Sequence, residues 1–261
     1  MCLRQADHII LIADATKAKD LGELEKRISE ISSVNVSLVL LQPASIKMPE
    51  KTADWLENRA FVNQHFHVRK DHVEDTKRLS RIITGRGNGF VLAGGGAKGF
   101  AHLGVLKALN EFQIPVDYIG GTSVGALMAA SIAMSKSTTN AIGYVKDAIK
   151  HKPSADISFF PLISLVKGGN IKRMVEQTIE SFSGDPNLDM SDTWLPMYGV
   201  ASNLTVAEAT TFSRGPLGKV LLASSAVPGV FPPVIIDGEI YVDGGSFNNF
   251  PVDVKIGRAH V

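Results

Sequence analysis

The chain of 261 residues holds one cysteine, Cys2, so no disulfide can form within it. A lone thiol fits a reducing compartment. The seven histidines show no His/Cys ligand spacing, which argues against a structural zinc. Neither sign of charge is in excess. The formal net charge is +1, without the basic surplus of a dedicated nucleic-acid binder. The longest apolar run, around Ala126–Met134, is too short to span a bilayer. No signal-peptide pattern opens the chain. The expectation is a cytoplasmic protein that reaches any membrane from the surface. Apolar residues are plentiful at 44%, enough for the core of one large domain or two small ones.

Glycine marks the chemistry. Gly121-Thr122-Ser123-Val124-Gly125 lies between a strand-like segment, Val116–Ile119, and a helix-like one, Ala126–Ala130. A Gly-x-Ser-x-Gly so placed has the form of a nucleophile elbow. Gly121 and Gly125 let strand and helix approach, and the turn holds Ser123 strained with its hydroxyl exposed. The helix N-terminus behind it favours developing negative charge. The competing reading is a glycine-rich turn with an N-capping serine.

A second cluster, Gly94-Gly95-Gly96-Ala97-Lys98-Gly99, follows the strand-like Phe90–Ala93 and precedes a helix-like run. Amides in such a turn can converge on one anion, as an acyl-transfer oxyanion requires. The same residues satisfy a dinucleotide-binding fingerprint, with Asp117 at about the distance of a ribose-binding acid. However, Asp117 begins its apolar run, whereas the ribose acid usually ends a strand. A P-loop fits poorly, because no Gly-Lys-Ser/Thr occurs. Lys98 reads as a solvated helix-start charge or as a phosphate contact.

The third cluster is Asp243-Gly244-Gly245, at the end of the apolar run Ile240–Val242. It reads as a site carboxylate or as an ordinary Asp-Gly turn. The histidines decide the type of site. A Ser-Asp-His order needs a histidine after Asp243, and only His260 lies there, in a suspect tail. A Ser123–Asp243 dyad fits better, with Asp243 as the base.

Together these stretches, Ala93–Leu109, Gly120–Ala126, Ala223–Pro233 and Asp243–Pro251, resemble the patatin-like phospholipases. The resemblance covers roughly Gly85 to Lys255. It implies a patatin-like three-layer α/β fold with a mainly parallel central sheet, preceded by a small α/β segment. It implies Ser123 as nucleophile, Asp243 as base, and an oxyanion hole around Gly94, Gly95, Gly96 and Ala97, with Gly244 and Gly245 forming the turn after the aspartate. The family hydrolyses acyl esters of phospholipids, lysophospholipids or neutral lipids without metal or cofactor. The upstream stretches His8–Asp14, Val36–Pro43, His65–Arg69 and Asp75–Arg86 resemble the linker of the neuropathy-target-esterase branch. Members of that branch often carry cyclic-nucleotide-binding domains ahead of this linker. The resemblance thus implies a lipid substrate and contact with a membrane surface, while the charge balance speaks against nucleic acid.

The domain reading is a small α/β segment over 1–85, a catalytic domain over 86–255 and a tail over 256–261. Strands are expected at Ile9–Ala13, Val34–Leu41 and, more weakly, Phe61–Val68, with a helix through Leu21, Leu24, Ile28 and Ile31. Asp71 and Glu74 predict a capping box for the next helix. His65 and His67 alternate onto one strand face. A helix is expected to reach Lys150 after a polar break at Lys136–Asn140. The apolar segment Asp156–Gly169 reads as a core-packed loop or as a lip over an acyl site. Further elements are helices at Ile171–Phe182 and Leu217–Ala226, strands at Leu195–Ser202 and Ala207–Phe212, and a hairpin about Asp237-Gly238. Ile256–Val261 (IGRAHV) matches the translation of a common sequencing adapter and is expected to be non-native. Met1–Arg4 reads as an internal start, which would make the chain a fragment.

Overall fold

Short apolar strands alternating with amphipathic helices build two α/β units that share an interface. The computed structural model describes residues 6–17, 19–30, 34–135, 143, 156–158 and 164–254. Outside them fall Met1–Arg4, the polar break and the helix to Lys150, Phe159–Ile163 and the 256–261 tail.

In the first unit β1 (His8–Asp14), β2 (Asn35–Gln42) and β3 (Gln64–Arg69) pair in parallel, in that order. The central strand β2 is covered on both faces, which is why Leu38–Leu41 are apolar without alternation. Leu38 and Leu40 pack with Ile9, Ile28 and Trp55, while Val39 packs with Phe66, Val68 and Tyr118 of the second unit. Helices α1 (Glu23–Ser29), α2 (Thr52–Glu57) and α3 (Val73–Ile83) complete this unit. The six-residue α2 is too short for a periodic signal, and it escaped the sequence reading. The expected capping box is absent. His72 is the N-cap of α3 and bonds nothing as a cap, while Asp71 sits at φ 62°, in the left-handed region.

The second unit is built on β4 (Gly89–Leu92), β5 (Tyr118–Thr122) and β6 (Met197–Asn203), which run parallel. Antiparallel β7 (Glu208–Phe212), β8 (Val234–Ile236) and β9 (Glu239–Asp243) extend the sheet. The β8–β9 hairpin turns on Asp237 and Gly238, both at positive φ as a two-residue hairpin turn requires. Helix α4 (Ala101–Glu111) follows β4, and α5 (Val124–Met134) follows β5. Further helices are α6 (Gly169–Ser183) and α7 (Leu217–Ser224). Ile171, Val175, Ile179 and Phe182 of α6 recur at helical spacing and are buried. Each contributes about 1.5–3 kcal/mol. Helix α5 buries nearly every side chain, and its small residues let it lie close against β5 and β6. The Trp194 and Leu195 amides donate to the Ala133 carbonyl at 2.9 and 3.2 Å, satisfying one orphan group at the end of α5.

The edges of β6 explain how the site assembles. Along one edge runs β7, from Gly199 to Asn203. The other edge carries two strands in succession. Strand β5 pairs with Met197–Val200, and β9 with Ala201–Asn203 in the opposite direction. Thr122 is paired with Val200 and Asp243 with Ala201, so β5 and β9 finish at the same seam.

The segment before β6 joins the two units. His65 and His67 share a face, as alternation predicts, and both Nε2 atoms donate to the Ser191 carbonyl, at 3.0 and 2.8 Å. Burial holds their pKa values down, at about 4 and about 3. Both rings are therefore neutral near pH 7. The Asp192 carboxylate accepts the Thr52 amide at 2.9 Å, capping α2 from the other unit. A cavity of about 650 Å³ lies beside this joint, lined in part by His8, Phe66, Tyr118, Trp194 and Tyr198. Tyr118, at the start of β5, and Met197 and Tyr198, at the start of β6, are among its lining residues.

Burial raises the Asp192 carboxyl to about 6, against the Thr52 bonds that lower it. A raised acid contributes stability at low pH that is lost as pH climbs through the folded value. Asp192→Asn keeps an acceptor for Thr52 and removes the charge. Its melting temperature should match wild type near pH 4 and exceed it at pH 8, by roughly 2–4 °C per kcal/mol relieved. A difference that does not grow with pH would refute the assignment.

Candidate active site

Ser123 stands where β5 ends and α5 begins, at φ 57° and ψ −127°. A non-glycine residue there stores about 1–3 kcal/mol of strain. Its hydroxyl is partly exposed and donates to Asp243 Oδ2 at 2.6 Å. Asp243 ends β9 and is buried, with 7% of its surface exposed. Its other oxygen, Oδ1, accepts the Gly245 amide at 2.7 Å, which fixes the oxygen that faces the serine. Burial raises the Asp243 carboxyl above the usual carboxylate range, while the Ser123 hydroxyl and the Gly245 amide pull it back. Among the described residues no histidine bonds either group. His102, on α4, instead bonds the Ala93 carbonyl at 3.0 Å.

The glycines owe their places to close backbone approach. A Cβ on Gly125 would lie 2.7 Å from the Leu92 carbonyl carbon and 2.8 Å from Ala93 O. Gly121 presses on the same Leu92 carbonyl. A Cβ on Gly244 would lie 2.8 Å from both the Val200 carbonyl carbon and Thr122 Cγ2, at the seam itself.

The loop Gly94–Gly99 comes to the serine from β4. The Gly94 amide donates to Asn249 O at 3.0 Å, which removes Gly94 from the expected donor set. Gly95, Gly96 and Ala97 are exposed. Gly96 and Ala97 precede the first bond of the 3-10 turn Gly96–Phe100, Lys98 N to Gly95 O, where helical amides lack internal partners. The segment after Asp243 holds this loop in place. Thr122 Oγ1 donates to Asn248 O at 2.9 Å, and Tyr198 OH to Pro251 O at 2.8 Å. Neither Asn248 nor Asn249 was singled out from the sequence, because their part depends on a crossing that spacing does not reveal.

The dinucleotide reading fails on Asp117. That carboxylate is fully buried and gripped by Arg81, with Nη2–Oδ1 at 2.6 Å and Nε–Oδ2 at 3.0 Å. It also accepts the Asn88 amide at 3.0 Å. Such an acid ties α3 to β5 and faces no ligand.

Ile157 and Val166 form an antiparallel bridge, and Leu165 bonds through its amide to Gly229 O at 2.9 Å. Ile157 and Leu165 are 70% and 56% exposed. Val166 is buried, at 5%, so this part of the segment anchors on Val166 and presents Ile157 and Leu165 at the surface.

Comparison with known proteins covers both units. A family model described as "Patatin-like phospholipase" matches residues 90–255, and one described as "Neuropathy Target Esterase family P-loop like domain" matches residues 1–89. Similar relatives include "Neuropathy target esterase sws" of Drosophila melanogaster, 32% identical over all of this chain and 20% of that protein. Another is "Patatin-like phospholipase domain-containing protein 6" of Homo sapiens, 30% identical over 97% of this chain and 20% of that protein. The chain thus spans about a fifth of the length of these relatives. The solved structure of VipD from Legionella pneumophila is similar at a TM-score of 0.47 and 17% identity, over 66% of this chain and 48% of that one.

Gly125→Ala should lower the unfolding free energy by about 3 kcal/mol in urea titration, as overpacking does. Gly104→Ala, on an open face of α4 with nothing within 4 Å of the new methyl, should raise it by about 0.5–1 kcal/mol. Equal effects at the two positions would contradict the close approach.

Proposed function

Since the chain belongs to the patatin-like phospholipase family, in its neuropathy-target-esterase branch, we propose that it hydrolyses carboxylic esters of phospholipids or lysophospholipids through Ser123 and Asp243. The observation that carries this reading is the 2.6 Å bond from a strained Ser123 hydroxyl to a buried carboxylate. Ser123 Oγ attacks the ester carbonyl as Asp243 Oδ2 takes its proton. Gly95, Gly96 and Ala97 supply amides to the tetrahedral oxyanion, helped by the N-terminal end of α5. Collapse breaks the ester C–O bond, and Asp243 returns the proton to the leaving alcohol. Water then attacks the acyl-enzyme as Asp243 takes its proton; the Ser123 Oγ–acyl bond breaks, Asp243 returns the proton to Ser123 Oγ, and the fatty acid leaves.

An apolar rim supports a lipid substrate. Phe247 and Phe250 flank the asparagines over the glycine loop, and Val227 follows Ala226, whose carbonyl accepts the Asp243 amide. Leu165 is bonded to the same turn. All four are exposed large hydrophobics, Phe250 at 55%. Such a rim suits the surface of a lipid aggregate. No helix among the described residues is long and apolar enough to cross a membrane. Peripheral contact is therefore the mode proposed, in the cytoplasm. Cyclic-nucleotide-binding domains upstream belong to the same proposal for the longer protein.

A fluorophosphonate probe should label Ser123, located by mass spectrometry, and Asp243→Asn should abolish the label. The labelling rate should fall as pH drops through an acid limb above the usual carboxylate value, because only ionised Asp243 takes the proton. Labelling elsewhere, or a rate indifferent to Asp243→Asn, would refute the dyad. Replacing Leu165 and Phe250 together by Ser should weaken binding to phosphatidylcholine vesicles roughly tenfold or more. Hydrolysis of a soluble ester should be spared; unchanged vesicle binding would count against the rim.

A further inference from the structure

Two backbone bonds converge on one short turn. Ser224, the last residue of α7, is fully buried. Its Oγ accepts the amide of Ser123 at 2.8 Å and donates its own proton to the Val200 carbonyl at 2.6 Å. Two residues on, the Ala226 carbonyl accepts the amide of Asp243 at 2.8 Å. Ser123 and Asp243 are brought together from 120 residues apart, yet Ser224–Ala226 bonds the main chain of both.

The bond to Ser123 answers a local need. As N-cap of α5, Ser123 has no helical acceptor for its amide, and at φ 57° that amide is turned away from the β5 ladder. A buried amide without a partner is costly, and the elbow would relax to find one. The Ser224 hydroxyl supplies the acceptor. By donating to Val200 O it is itself anchored to the seam on which β5 and β9 finish. The bond also commits the nucleophile's amide, which leaves oxyanion binding to other donors.

We propose that the Ser224–Ala226 turn sets the spacing of nucleophile and base, with Ser224 a positioning residue that acts through the Ser123 amide. The inference rests on the dyad reading above. It predicts a loss in the chemical step with little loss in substrate binding, since Ser224 is buried beneath the elbow.

The test uses the whole chain and a short-chain p-nitrophenyl ester. Ser224→Ala should lower kcat by roughly 100-fold, the scale of a misplacement near 1 Å, with KM within about twofold. Ser224→Cys preserves the volume but has a weak donor and acceptor, and it should show the same split if the alanine variant fails to fold. Ser224→Thr, which restores the hydroxyl, should recover most of kcat. Ser131→Ala is the control, because it deletes another buried hydroxyl, one bonded only to Leu127 O within α5. It should leave kcat unchanged. Wild-type kcat in folded Ser224→Cys, with hydrolysis lost in Ser123→Ala, would overturn this inference alone. Hydrolysis that survives Ser123→Ala would overturn the dyad and the inference with it.

Discussion

The seam at Val200 and Ala201 is the constraint on which the rest of the site depends. A strand has two edges, and β7 occupies one of them along β6. The other must be shared, so β5 and β9 meet there end on. Each releases its chain at the meeting point, one into Ser123 and the other into Gly244. The glycines follow from that crowding. Gly244 is pressed against the Val200 carbonyl, and Gly121 and Gly125 against Leu92. The sheet register thereby brings the Ser123 hydroxyl and the Asp243 carboxylate to one place.

The first unit bears on this at a distance. Its β3 histidines and the N-terminus of α2 grip Ser191 and Asp192, just upstream of β6. Arg81 of α3 grips Asp117, just upstream of β5. Both strands that lead into the seam are thus held at their starting ends by the first unit. The Arg81–Asp117 pair adds little net stability, since desolvation of the buried carboxylate offsets much of the attraction.

Much of this was legible in the residues, for identifiable reasons. The sharp turn at Ser123 and the end-of-strand place of Asp243 could be read because local rules bind them. A Gly-x-Ser-x-Gly between strand and helix has the form of an elbow, and only His260, in a suspect tail, follows Asp243. Long periodic helices such as α6 declared themselves. The short α2 did not, and a plausible capping box at Asp71 gave way to a left-handed turn. Asp117 looked like a ligand acid until Arg81, 36 residues away, was seen to hold it. Ser224 and Asn249 lay inside quoted motif stretches, but their partners are 101 and 155 residues distant. No pattern in one sequence encodes such pairings.

The 120-residue separation of Ser123 from Asp243 also sets a clock. A ribosome adds roughly 5–20 residues per second, so the serine emerges roughly 6–24 s before its base. The acceptor on α7 follows the serine by 101 residues, and the carboxylate on β9 comes later still. The nascent chain therefore carries Ser123 with no carboxylate beside it until β9 docks.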